Sequence, residues 1–137
     1  MSESSAHTLL VSKLLDWIQE NINPKDDLSI LVDSASSPPE ARPPTIGGKV
    51  PDVYVKSVGS DRLVLIGEAK TSQDVETDHT KEQLRFYLEH LTWQRSAILL
   101  IAVPWQKVRL AQSIVRLVQR EQNAQHVSVY ILENLPG

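Results

Sequence analysis

The stretch PDVYVKSVGSDRLVLIGEAK, residues 51–70, decides how this chain is read. Val53, Val55 and residues 63–66 are aliphatic or β-branched, the composition that packs well on a pleated, half-buried surface. Val58-Gly59-Ser60-Asp61 lies between them and carries turn chemistry, so the stretch predicts a β-hairpin. Side chains alternate between faces along a strand, which puts Glu68 and Lys70 on one face of the second strand, with Asp52 at the start of the first. Two carboxylates and an ammonium are therefore expected to converge on one edge of a sheet.

Just downstream, Gln83-Leu84-Arg85-Phe86-Tyr87 falls on a predicted helix over residues 79–91, in which Leu84, Leu88 and Leu91 form an apolar stripe. Gln83 and Tyr87, four apart, share the neighbouring stripe. Pro51-Asp52 followed by Glu68-Ala69-Lys70, and then by Gln83 and Tyr87, resembles the PD-(D/E)xK nuclease superfamily and its RecB-like and phage-exonuclease-like branch, which carries a QxxxY motif. The resemblance implies a restriction-endonuclease-like αβββαβ core and a Mg²⁺- or Mn²⁺-dependent deoxyribonuclease. In that reading Asp52, Glu68 and the main-chain carbonyl of Ala69 hold the metal. Lys70 stabilises charge at the reacting phosphate, and Gln83 and Tyr87 orient Lys70 or a substrate phosphate.

The same residues have a plainer reading, in which Asp52 makes a turn hydrogen bond and Glu68 pairs with Lys70 as an ordinary salt bridge. Gly67 weighs against it, because a glycine inside a strand marks close approach of backbone or ligand. Many members of the resembled superfamily also place an acidic residue near the metal from their first helix. Here Glu3 and His7 share a stripe with Leu10 and Leu14, and are read either as a residue aimed at the site or as a frayed terminus and a surface histidine.

The bulk numbers narrow the class. A chain of 137 residues with 41% hydrophobic and 23% charged residues is expected to form one domain of an ordinary soluble kind. No apolar run approaches the roughly 18 residues a membrane span needs, and the start of the chain shows no basic segment leading an apolar one. A cytoplasmic protein without membrane contact is expected. The chain has no cysteine, which excludes thiolate catalysis, disulfides and cysteine-bound zinc. A net charge of −3 disfavours holding nucleic acid by electrostatics alone, although metal-binding carboxylates contribute negative charge themselves.

Around this centre the remaining elements follow from periodicity. Leu10, Leu14, Ile18 and Ile22 mark an amphipathic helix over residues 5–22, stopped by Asn23-Pro24. Residues 28–32 form a short strand. Residues 33–49, DSASSPPEARPPTIGGK, read as a flexible Pro/Gly-rich loop, either a lid whose Arg42 and Lys49 meet phosphate or a mobile insertion. Asp78 is placed to cap the second helix. AILLIAV, residues 97–103, is a strand covered on both faces, residues 105–122 a helix, and residues 127–132 a strand near an edge. The expected fold is α/β, a mixed sheet of about five strands flanked by helices.

Arg109, Arg116 and Arg120 line up on the third helix, as a phosphate-facing surface or as solvated exterior. DNA is the expected partner, and duplex cleavage would call for a homodimer, with Trp93, Trp105 and Phe86 as candidate interface residues. From a different class comes a nuclease-fold subunit that binds nucleic acid or a protein without cutting.

Overall fold

The computed structural model describes residues 5–22, 27–34, 36–58, 62–75 and 77–134. The predicted turn tip at residues 59–61, the Asn23-Pro24 stop and Glu3 lie outside the described residues. The chain runs α1 (Ser5–Asn21), β1 (Leu28–Val32), β2 (Val53–Ser57), β3 (Leu63–Ala69), α2 (Asp78–Thr92), β4 (Ser96–Pro104), α3 (Val108–Glu121) and β5 (Ser128–Asn134). Single 3₁₀ turns at Pro39–Ala41 and Trp105–Lys107 complete it.

The five strands form one sheet in sequence order, antiparallel from β1 to β3 and parallel from β3 to β5. The predicted hairpin is its first half, with Val53 opposite Gly67 and Tyr54 opposite Ile66. Parallel neighbours need a crossover, and α2 and α3 supply the two. The expected α/β architecture, a mixed five-stranded sheet flanked by helices, is the one observed.

Strand alternation divides the core in two. Leu10, Leu14 and Ile18 of α1 pack on Val53, Val55, Leu65, Leu100 and Ala102. Tyr54, Ile66, Leu99, Ile101 and Val103 turn the other way, against Leu84, Leu88 and Leu91 of α2 and Ile114, Val115 and Val118 of α3. Each fully buried aliphatic side chain of this kind contributes roughly 1.5–3 kcal/mol. No helix among the described residues is long and apolar enough to cross a membrane.

Three details differ from the sequence expectations. Thr77 rather than Asp78 caps α2: its hydroxyl accepts the Thr80 N–H at 3.1 Å, and Asp78 sits in the first turn, where its charge suits the helix dipole. Gly67 makes room for α1, since a Cβ there would lie 3.3 Å from Val53 Cβ and 3.4 Å from Leu14 Cδ1, so its absence serves packing and not ligand approach. The end of the 33–49 loop is tied down on α2. Ile46 is buried, Gly47 at φ 60° lies flat against the Phe86 ring, and Lys49 Nζ sits 3.3 Å from His79 Nδ1.

Candidate active site

β3 ends, and β2 begins, at the sheet edge where β4 also finishes, so the ladder carries Asp52, Glu68 and Lys70 to one place. Register sets this up: Val53 opposite Gly67 leaves Asp52 and Glu68 facing each other one step beyond the last pair. The Lys70 N–H donates to the Ala102 carbonyl at 3.0 Å, fixing the lysine's backbone against β4.

The side chains interlock. Asp52 Oδ2 accepts the Ala69 N–H at 2.8 Å, and the Asp52 N–H donates to Glu68 Oε1 at 3.3 Å. Glu68 Oε2 lies 3.3 Å from Lys70 Nζ, and that ammonium also donates to Gln83 Oε1. The Tyr87 hydroxyl donates to Glu68 Oε1 at 3.3 Å. Gln83 and Tyr87 lie one helical turn apart, so α2 gives Lys70 and Glu68 a partner each.

Burial sets the electrostatics. Glu68 is 5% exposed and Asp52 8%. Burial, and after it the charge of Asp52, pushes the Glu68 carboxyl up to about 8, while Lys70 pulls the other way. The Tyr87 hydroxyl is raised well above the ordinary phenol range, chiefly by burial and then by Glu68 and Asp52. Behind Glu68 and Lys70 lies a small apolar cavity of about 10 Å³ against Val75, Leu84, Ile101 and Ala111, with room for at most one water.

The six residues that the resemblance assigns to the metal and the reaction are thus brought together: Asp52, Glu68, Ala69, Lys70, Gln83 and Tyr87. The hydrogen bond and salt bridge of the plainer reading are present too, so contact alone does not separate the readings. His7 joins from the first turns of α1, with Nε2 3.3 Å from Asp52 Oδ1. Its sequence signal was the stripe it shares with Leu10 and Leu14; Glu3 lies outside the described residues.

Other candidates do not join the site. Arg42 Nε donates to the Ser37 carbonyl at 3.1 Å, within its own loop. Arg109, Arg116 and Arg120 are exposed on α3, and Arg116 lines a groove beside β5 with Gln112 and Val129. The loop packs on β1 and α2, and the arginines lie on the neighbouring helix α3. Trp93 and Trp105 precede and follow the nine-residue β4, about 26 Å apart along the strand, and Phe86 packs against the core.

A hard cation such as Mg²⁺ is held by one or two carboxylates together with waters and substrate phosphates, and Asp52 with Glu68 fits that donor set. An ionised carboxylate offers about four lone-pair sites. Asp52 Oδ1, Asp52 Oδ2 and Glu68 Oε2 each meet a single described donor and keep capacity, whereas Glu68 Oε1 takes two. Among the described residues no three His, Cys, Asp or Glu side chains stand where they could share one ion. Comparison with protein-family models, with curated proteins and with solved structures found no match.

Proposed function

We propose that the chain is a metal-dependent nuclease that hydrolyses phosphodiester bonds in DNA on a restriction-endonuclease-like αβββαβ core. One observation carries the reading. Two buried carboxylates and a lysine from both strands of a hairpin meet at one sheet edge, and Gln83 and Tyr87 from a separate helix hold the lysine and a carboxylate. An ordinary structural salt bridge has no need of such a shell.

In this reading Asp52, Glu68 and the Ala69 carbonyl hold Mg²⁺ or Mn²⁺. A metal so held polarises the phosphate and activates water. Lys70, steadied by Gln83, presents a fixed positive charge where negative charge gathers on the phosphate, and burial strengthens that interaction. Tyr87 and His7 orient the carboxylates. The test is incubation with plasmid and with single-stranded DNA in Mg²⁺, Mn²⁺ or EDTA, comparing wild type with Lys70→Ala. Cation-dependent cutting that disappears in the variant supports the reading, and its absence from the wild type ends it.

A second reading, a nuclease-fold subunit that binds without cutting, is favoured by one specific feature. Every oxygen of Asp52 and Glu68 already meets a protein donor. Retained DNA binding with no cleavage in any of these cations would select it.

A further inference from the structure

The end of the sheet opposite the carboxylates carries its own cluster. A groove of about 670 Å³ opens there on the α2 side, lined by Lys56, Arg62, Ser29, Val58 and Gln94, with no carboxylate among the described residues of its wall. Pairing of Leu63 with Ser96 starts the β3–β4 ladder, so Arg62 and Arg95 enter it side by side. Both are exposed, as is Lys56. Three cations thus gather on a chain whose net charge is −3.

Two independent features set this end apart. Trp93, adjoining Gln94 in sequence, is 81% exposed, yet its backbone is fixed as the cap of α2, with its N–H on the His90 and Leu91 carbonyls. A rigid backbone therefore presents an aromatic face to solvent beside the cations. Arg62 stands at φ 48°, a left-handed conformation that costs a non-glycine residue roughly 1–2 kcal/mol and that glycine would adopt freely. It closes the turn into β3 and so fixes where the arginine leaves the backbone beside the groove.

We propose that this groove binds single-stranded nucleic acid, with Lys56, Arg62 and Arg95 on phosphates and a base stacked on Trp93. Cations tracking a backbone beside an aromatic platform are the chemistry by which single strands are held without sequence readout. A duplex keeps its bases stacked inside and would leave Trp93 unused. The proposal rests on the nuclease reading and deepens it, because the groove lies about 20 Å along β3 from the carboxylates and would grip the strand away from the scissile bond.

The test is fluorescence anisotropy with a labelled oligothymidylate at low salt in EDTA, so that binding is read without cleavage. Trp93→Ala should weaken binding about tenfold. Lys56→Gln with Arg62→Gln should flatten the slope of log affinity against log salt by about 1.4, at about 0.7 for each single-strand phosphate no longer neutralised. Arg62→Gly relieves the backbone, so weaker binding by a variant at least as stable as wild type also supports the proposal. No binding by the wild type, unchanged affinity and slope in the variants, or a duplex bound equally well through the same residues overturns it. Cleavage is scored separately in Mg²⁺: cutting with groove-independent binding removes this inference alone, and groove-dependent binding without cutting removes only the nuclease reading.

Discussion

Lys70 Nζ lies 3.3 Å from Glu68 Oε2 in a pocket where both side chains are largely shielded from water. The pair is not self-sufficient, because burial penalises the Glu68 charge and Asp52 across the hairpin then adds a second negative charge. Glu68 therefore holds its proton to about 8 despite its lysine partner.

Stability in EDTA should follow that carboxyl. Its folded-state pKa is raised above the unfolded value near 4.5, so the folded state binds the extra proton between the two values. The contribution is complete below about 4.5 and is lost as pH rises through about 8, with a slope of at most about 1.4 kcal/mol per pH unit. Denaturant melts at successive pH values should show stability falling across this window, and Glu68→Gln should remove most of the fall. A Glu68→Gln variant that keeps the wild-type slope would place the titration elsewhere.

Cation binding should run in the opposite sense. A metal needs Glu68 ionised, so binding below pH 8 should release a proton and tighten with pH by up to about tenfold per unit. Calorimetric titration with Mn²⁺ in buffers of different ionisation enthalpy measures the released proton. In Glu68→Gln the release should disappear and the affinity should drop.

Tyr87→Phe isolates one hydrogen bond while keeping the buried ring. Loss of the hydroxyl donor should cost about 1 kcal/mol and move the pH window of Glu68 upward, because the donor favours the ionised form. Tyr87→Phe melts that superimpose on wild type at every pH would show that the hydroxyl does not act on Glu68.

The loop anchor gives a contrast between adjacent glycines. A Cβ on Gly47 would fall 2.2 Å from Phe86 Cδ1, whereas one on Gly48 meets nothing within 4 Å, and both residues have positive φ. Gly48→Ala should cost about 1 kcal/mol from backbone alone, and Gly47→Ala clearly more, because the Phe86 ring must also move. Equal melting temperatures for the two variants would remove Gly47 and Phe86 as the anchor.

Much of this was legible in the chain because it depends on period. The four-residue spacing of Leu10, Leu14 and Ile18 marked α1, the unbroken run from Ala97 to Val103 marked the interior strand β4, and alternation placed Glu68 and Lys70 together. What period does not encode is which element arrives from the other side. Gly67 marks close approach of backbone or ligand, and what approaches is the Leu14 side chain; His7 is one member of a stripe whose place beside Asp52 depends on how α1 docks. Thr77 outcompeted Asp78 as cap through local geometry, its hydroxyl also donating to the Asp74 carbonyl.

The most direct test is single-turnover cleavage of DNA in Mg²⁺ or Mn²⁺ by wild type, Asp52→Asn and Glu68→Gln, each first checked for a wild-type circular dichroism spectrum. The nuclease reading predicts cutting by the wild type that EDTA abolishes, and a rate lower by about a hundredfold or more in each variant. Cutting at the wild-type rate by both variants would contradict it.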